Sequence, residues 1–216
     1  MRSSSGRPAG AALAALALLA AACTVPDAGS TVDYRQEPAT AAGPGLVHVV
    51  VEIPAGTNAK WEVDKTTGAL EWELVDGIPR VVQYLAYPAN YGMIPGTALP
   101  EELGGDGDPL DIVVLGEALE RGAIVEVRPV AVLRLLDDGE RDDKIVAVPL
   151  GGPFAAVTDL SGLDATYPGV TTILETWFRN YKGPGRIESE GFGDAAMADS
   201  VVAVARAWYG EGAPAP

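Results

Sequence analysis

The chain has 216 residues, with 30 acidic side chains against 15 lysines and arginines, so its net charge is −15 at pH 7. This charge argues against nucleic acid as a partner, because binding to nucleic acid depends on neutralising phosphates. It argues equally against an anionic membrane surface, and an anionic substrate would need local basic groups or metal ions. The single cysteine excludes an intramolecular disulfide.

The N-terminus has the pattern of an export signal. Arg2 and Arg7 form a short basic region, and an apolar stretch from residue 9 to Cys23 follows, too short to span a membrane as a helix. Cys23 stands where the small residues end this stretch, which resembles a bacterial lipoprotein signal. We therefore predict a signal peptide over residues 1–22 and a lipidated Cys23 in an extracytoplasmic, membrane-anchored protein. The alternative is a plain secretion signal with an incidental cysteine.

The rest of the chain divides into three parts. Residues 23–45 are rich in Pro, Gly, Ala and Thr without periodicity, which indicates a flexible tether behind the lipidated cysteine. Residues 46–210 carry the patterned sequence and are long enough for one domain with its own core. Residues 211–216 are predicted to be a loose C-terminal tail.

Short strands dominate the first part of this domain. Residues 46–54 are a strongly apolar strand, residues 60–74 give strand, turn and strand, and further strands are predicted at 80–85, 112–115, 124–136 and 145–149. Gly and Asp clusters between them favour a small, highly curved, antiparallel barrel of five strands, OB-like in type. The only histidine, His48, lies in the first strand and is predicted to pack there, since one histidine cannot build a zinc site alone.

Two apolar stripes predict two C-terminal helices that flank the barrel, giving an α+β class that is mainly β. The first stripe contains Ile173, Leu174, Trp177, Phe178 and Tyr181, and the second contains Met197, Val201, Val204 and Trp208.

The segment "GDGDPLDIVVL" places Asp106, Asp108 and Asp111 directly before an apolar strand. Carboxylates this close raise one another's pKa values unless a cation relieves the repulsion, which indicates a hard metal ion. An EF-hand loop does not fit, because Asp111 stands at the position that requires a turn glycine.

Three further segments carry polar groups that have structural as well as chemical interpretations. "DDGERDDK" (137–144) ends another apolar strand and, alone, is typical of a charged hairpin turn. "AYPANYGMIPG" contains Tyr87 and Tyr91, which suit either a rigid aromatic loop or hydroxyl donors to an oxyanion. Lys60, Glu62 and Asp64 alternate with apolar residues and share one strand face, which is either solvated or the mouth of a site.

Together these segments resemble the soluble family I inorganic pyrophosphatases. "DGDPLD" running into Ile112 resembles the signature of that family, and "EIPAGTNAKWEVDKTTGAL", "YPANYG", "RPVAVL", "DDGERDDKIVAVP" and "NYKG" resemble its other segments in family order. The resemblance covers about residues 46–209. The segment before Arg80 is longer than in the family, and Met93 replaces an aromatic residue.

The resemblance implies hydrolysis of inorganic pyrophosphate to two phosphates with several Mg²⁺ ions per site, in a homo-oligomer. Asp108 would be the general base that accepts a proton from a metal-activated water. Asp108 would also be a metal ligand. The other implied metal ligands are Asp106, Asp111, Asp137, Asp142, Glu62 and Glu52. The implied substrate-binding or catalytic groups are Lys60, Glu62, Arg80, Tyr87, Tyr91, Lys144, Tyr181 and Lys182.

A hypothesis of another class is a lipid-anchored protein that binds calcium or phosphate without turnover. A passive binder has no evident need for two acidic loops together with a full set of basic and tyrosine partners. The sequence therefore favours the enzyme.

Overall fold

The structure, a computed structural model, describes residues 32–36, 43–105 and 107–211. The predicted signal peptide, Cys23 and Asp106 lie outside the described residues. Within those three ranges, no helix combines the length and the apolarity needed to cross a membrane.

The described chain forms eleven strands, three α-helices and two 3₁₀ turns. The strands are β1 (Val47–Ile53), β2 (Trp61–Val63), β3 (Leu70–Trp72), β4 (Leu74–Val75), β5 (Ile78–Pro79), β6 (Asn90–Ile94), β7 (Leu110–Val114), β8 (Ile124–Asp137), β9 (Glu140–Arg141), β10 (Lys144–Pro149) and β11 (Ile187–Gly193). The helices are α1 (Leu160–Thr166), α2 (Val170–Asn180) and α3 (Ala195–Gly210), and the 3₁₀ turns are Tyr34–Gln36 and Glu101–Leu103.

A seven-stranded sheet organises the molecule. Its order is β1-β6-β7-β10-β8-β11, with β9 on β8 and a further pairing between β1 and β8. Five strands (β1, β6, β7, β10 and β8) therefore each pair with two others of the same group. The predicted class, mainly β with helices near the C-terminus, is confirmed.

The expectation of a wholly antiparallel sheet is wrong at one place. β7 and β10 pair in parallel, with Ile112 opposite Ile145 and Val113 opposite Val146. The chain reverses direction twice between these strands, and β8, which follows β7 in sequence, pairs with β10 instead of β7. This parallel register places the residues that precede the two isoleucines, Asp111 and Lys144, beside each other.

Two strand predictions also need correction. Residues 80–85 form no strand beyond an isolated bridge at Val81, because the side-chain amide of Asn58 donates to the carbonyls of Val82 and Tyr84 at 3.0 and 2.9 Å. Conversely, the tyrosine segment contains β6, which lies between β1 and β7. The longer segment before Arg80 forms the small β4–β5 hairpin.

The C-terminal part has three helices rather than the predicted two, with β11 inserted between α2 and α3. In α2, Leu174, Trp177 and Phe178 are buried as predicted, whereas Ile173 is exposed. In α3 the buried face is Ala198, Val202 and Ala205, one residue away from the predicted stripe. Alanine is a weak hydrophobic signal in sequence, but its small side chain lets a helix lie close to a sheet.

The two sides of the sheet carry separate cores. One joins buried residues of the strands to α1 and α2, and the other joins them to α3. The first core contains Tyr87, Tyr91, Trp177 and Phe178, and these aromatic rings support the polar cleft described next.

Candidate active site

A polar cleft of about 520 Å³ lies beside the start of β7 and β10. This volume exceeds by far the roughly 30 Å³ that one water occupies, so a small polyanion fits together with ions and waters. The cleft brings together most of the predicted site residues: Glu52, Lys60, Glu62, Arg80, Tyr91, Asp108, Asp111, Asp142, Lys144, Tyr181 and Lys182. Of the remaining three, Asp137 and Tyr87 lie nearby, and Asp106 is outside the described residues.

Lys144 is the buried centre of the cleft, with a relative exposure of 2%. Its ammonium group pairs with Asp111 and with Oδ1 of Asp142, the latter at 2.6 Å. Burial lowers the pKa of Lys144, but the two carboxylates outweigh that effect, and the net pKa is raised. Lys144 is therefore a fixed positive charge held between two candidate metal ligands.

The pKa values of the two carboxylates beside Lys144 shift in opposite directions. Burial raises the pKa of Asp111, but Lys144 more than offsets it, so the pKa lies below its ordinary value. The pKa of Asp142 is raised, first by burial and despite the attraction of Lys144, with the charge of Asp111 contributing. Like charges at close range repel, and the burden of that repulsion falls on Asp142, whose pKa is raised while that of Asp111 is lowered.

Glu62 lies in β2 and Lys60 directly precedes that strand, with the two side chains in contact. The ammonium of Lys60 is 3.3 Å from Oε2 of Glu62 and 5.6 Å from the ring centroid of Tyr91. Lys60 is largely buried and Glu62 is half exposed, so the pair spans the cleft from wall to mouth.

Glu52 on β1 is the most buried carboxylate of the cleft, with a relative exposure of 5%. Its Oε1 accepts a hydrogen bond from the backbone amide of Val63 at 2.8 Å, which ties β1 to the end of β2. Burial raises its pKa to about 8, although Lys60 and the Val63 amide act in the opposite direction.

The predicted tyrosines form one aromatic cluster with Trp177. Tyr181 stacks on Trp177 with centroids 4.7 Å apart, and Tyr87 lies 4.4 Å from Trp177 and 5.5 Å from Tyr91. Burial is the largest cause of the raised pKa of each tyrosine, so all three hydroxyls remain protonated donors. Tyr91 and Tyr181 line the cleft, whereas Tyr87 is buried behind it.

Two more predicted cations are held by carboxylates. Arg80 binds Glu73 through two contacts of 2.7 and 2.9 Å, and Lys182 pairs with Asp137. Asp137 lines a neighbouring cavity that shares Asp142 and Arg141 with the cleft. The second carboxylate oxygen of Asp137, Oδ1, is buried and has no hydrogen-bond partner among the described residues.

The sequence reasoning missed several cleft residues. Lys65, in the β2–β3 turn, places its ammonium 2.5 Å from Oδ1 of Asp108. Arg141 bridges Asp143 and Glu190 at 3.3 and 2.6 Å. In the sequence, the only indication that Lys65 belongs to the site is its position directly after the alternating residues Lys60, Glu62 and Asp64.

The described carboxylates of the cleft are of the type that binds Mg²⁺, but they do not form a complete set of ligands around one point. Within the described ranges, no three Asp, Glu, His or Cys side chains are grouped so that they could hold a metal ion. Mg²⁺, however, is commonly bound by one or two carboxylates together with waters and substrate phosphates. The partner-less Oδ1 of Asp137 and the all-oxygen donor set of the cleft fit such binding.

Comparison with known proteins identifies the family. A family model described as inorganic pyrophosphatase matches residues 49–209. The inorganic pyrophosphatase of Xanthomonas campestris is 34% identical over 176 residues, which are 79% of this chain and 93% of that protein. The chain belongs to the inorganic pyrophosphatase family. It is an enzyme of the inorganic diphosphatase class, and the resemblance to family I is confirmed.

Solved inorganic pyrophosphatases share the fold. The enzyme of Neisseria gonorrhoeae is 32% identical, with a TM-score of 0.69 over 82% of this chain and 99% of that one. The type I enzyme of Toxoplasma gondii is 30% identical, with a TM-score of 0.75 over 84% and 88% of the two chains. Against the chloroplastic enzyme of Chlamydomonas reinhardtii, 37% identical over 163 residues, the match covers 70% of this chain but only 58% of that protein.

Proposed function

We propose that this pyrophosphatase is Mg²⁺-dependent and hydrolyses inorganic pyrophosphate to two phosphates outside the cytoplasm. The observation that carries the chemistry is the cleft in which Asp108, Asp111 and Asp142 lie beside Lys60, Arg80, Lys144 and Lys182. Carboxylates suit hard cations, and the nearby ammonium and guanidinium groups suit a polyanion. A cleft with both kinds of group resolves the conflict between an acidic chain and an anionic substrate.

The carboxylates would divide the work of metal binding. Asp108, Asp111, Asp142 and Glu62 would hold ions in the cleft, Asp137 would hold one from the adjoining cavity, and buried Glu52 would support the group. The family resemblance adds Asp106 to these ligands. Bound Mg²⁺ supplies charge neutralisation for the phosphates and lowers the pKa of water. Asp108, partly exposed at the cleft, would accept the proton that the attacking water loses.

The basic and aromatic groups would bind the substrate. Lys60, Arg80, Lys144 and Lys182 are each held by an ion pair with a carboxylate. Protonated Tyr91 and Tyr181 would donate hydrogen bonds to phosphoryl oxygens, and Tyr87 would support Tyr91 from behind. Because these groups are fixed before the substrate arrives, little reorganisation is needed during reaction.

The proposal also places the enzyme at a membrane, through the signal-like residues 1–22 and lipidation of Cys23. An exported enzyme of this kind would recover phosphate from extracellular pyrophosphate. Following the family resemblance, we further propose a homo-oligomer, which light scattering of the purified full-length chain would test.

The metal requirement is tested with full-length chain by measuring phosphate release from pyrophosphate. We expect chelation to abolish activity, Mg²⁺ to restore it, and Ca²⁺ to restore it poorly, because Ca²⁺ is larger and its coordination is looser. Since an ion that binds the native state stabilises it, Mg²⁺ should also raise the melting temperature. Full activity in chelator, or a melting curve that ignores both metal and chelator, would refute the metal-dependent mechanism.

A further inference from the structure

Residues 32–36, here called the N-terminal strap, belong to the segment predicted as a flexible tether, yet they dock on the domain. The backbone amide of Tyr34 donates to the carbonyl of Gly68 at 2.9 Å. A Cβ on Gly68 would lie 1.8 Å from Oδ1 of Asp33, and one on Gly122 would lie 2.7 Å from the Tyr34 hydroxyl. The strap therefore packs against two positions at which any side chain larger than that of glycine would clash with it.

Arg35 makes the main polar contact of the strap. Its Nη1 donates to the carbonyls of Lys65 and Thr66 at 2.7 and 2.9 Å. Asp33 orients the guanidinium from the other side, accepting from Nε and Nη2 at 2.9 Å each. A guanidinium fixed on one edge by a bidentate carboxylate presents its remaining N–H groups in a set direction. These hydrogen bonds hold the backbone of the β2–β3 turn at Lys65 and Thr66.

The β2–β3 turn that Arg35 grips is itself rigid. Oδ1 of Asp64 accepts from the amides of Thr66 and Thr67 at 3.0 and 2.6 Å, and the Gly68 amide donates to the Asp64 carbonyl at 2.8 Å. Side chains that bond to the backbone a few residues ahead are a recognised means of fixing a turn. Movement at one end of this turn is therefore transmitted to the other.

Lys65 connects the turn to the chemistry. Its ammonium lies 2.5 Å from Oδ1 of Asp108, and both side chains are partly exposed at the cleft. Asp108 precedes β7 in a loop, where strand pairing does not fix its position. The contact from Lys65 supplies the restraint that the loop backbone lacks.

We propose that Lys65 is a positioning residue for Asp108, and that Arg35 of the N-terminal strap acts through it by holding the β2–β3 turn. The inference rests on the proposed role of Asp108 as the base. It gives the strap a function in turnover, although the sequence predicted only a flexible tether for this segment.

The test is a set of kinetic cycles on full-length chain with pyrophosphate and Mg²⁺. Because a small displacement of a reacting group costs much in rate, Lys65→Met should lower kcat about tenfold and Arg35→Ala about threefold, with KM changed by less than about twofold. Lys65→Arg should recover most of the loss. Arg179→Ala, the removal of an exposed arginine on α2, is the charge-matched control and should leave kcat unchanged.

Non-additivity distinguishes positioning from general destabilisation. If Arg35 acts through Lys65, Arg35→Ala should cost nothing further in the Lys65→Met background, since residues in one network do not contribute independently. Likewise, Lys65→Met should cost nothing further in the Asp108→Asn background. Additive losses in either cycle, or a raised KM with unchanged kcat in Lys65→Met, would overturn the proposal.

Hydrogen–deuterium exchange gives a readout that does not depend on activity. Peptides covering residues 61–70 should exchange faster in Arg35→Ala than in wild type, and at the wild-type rate in Arg179→Ala. Unchanged exchange in Arg35→Ala would overturn the proposed grip on the turn. A wild-type chain without pyrophosphatase activity would instead refute the proposed function, and the exchange result would still decide whether the strap holds the turn.

Discussion

Asp108 is the residue on which the proposed chemistry most depends, and it lies in the cleft with Lys65 as its partner. Asp108→Asn keeps the size and shape of the side chain but removes its ability to accept a proton. We expect turnover to fall roughly 10²–10⁴-fold, the usual contribution of general base catalysis, with folding intact. Steady-state kinetics together with circular dichroism would measure both. Activity within about threefold of wild type would show that Asp108 is not the base.

Glu52 offers a second test at the scale of one residue. Its pKa, raised by burial from 4.5 to about 8, means that the folded chain keeps a proton that the unfolded chain releases between these values. The free energy of unfolding should therefore fall as pH rises through this window, by up to about 5 kcal/mol in all, because one pKa unit corresponds to ~1.4 kcal/mol. The measurement is urea denaturation in chelator at several pH values.

Glu52→Gln is the matched variant for this prediction. Glutamine keeps an oxygen for the Val63 amide but does not titrate, so the decline between about pH 5 and pH 8 should be smaller in the variant. Parallel pH profiles for the two proteins would contradict a raised pKa at Glu52.

The site was partly predictable at this scale because many of its charged residues are concentrated in short segments of the sequence. "DGDPLD" and "DDGERDDK" each concentrate carboxylates at a strand end, and the cleft joins Asp111 of the first to Asp142 and Lys144 of the second. Lys65 and Glu73 could not be singled out in this way. Each is one charged residue among many in sequence, and only tertiary contacts show that Lys65 reaches Asp108 and Glu73 reaches Arg80.

At the scale of elements, α3 tests whether the buried face was assigned correctly. Val202 is 4% exposed, whereas Val204, two residues on, is 42% exposed. Val202→Ala should lower the free energy of unfolding by about 1–2 kcal/mol through lost burial and a residual cavity. Val204→Ala should change it by less than about 0.5 kcal/mol. Chemical denaturation of both variants decides the matter, and equal losses would contradict the observed face.

The strands show why the pattern of apolar residues predicts where strands occur more readily than which strands pair with each other. The apolar runs of β1, β7, β8 and β10 were predicted with nearly correct bounds, since most of their residues are buried. The parallel pairing of β7 with β10 has no local signal, because it depends on which strand β8 joins. Residues 80–85 have strand-like composition, but the side-chain amide of Asn58 donates hydrogen bonds to the carbonyl groups of Val82 and Tyr84, which are therefore not available for strand pairing.

At the scale of the whole molecule, the net charge of −15 bears on where the enzyme works. An acidic domain is repelled by anionic lipid, so any stable membrane attachment must come from a separate anchor. Acylation supplies such an anchor when two or more chains are present.

Cys23→Ser tests this arrangement without disturbing the cleft. Since Cys23 belongs to none of the site segments, catalysis should be unchanged, while the protein should move from the membrane fraction to the soluble one or persist as an uncleaved precursor. Cell fractionation and labelling with a clickable fatty acid measure the two effects, with the wild-type chain as the reference. If the wild-type chain takes up no label and both proteins fractionate alike, then Cys23 is incidental and residues 1–22 act as a plain secretion signal.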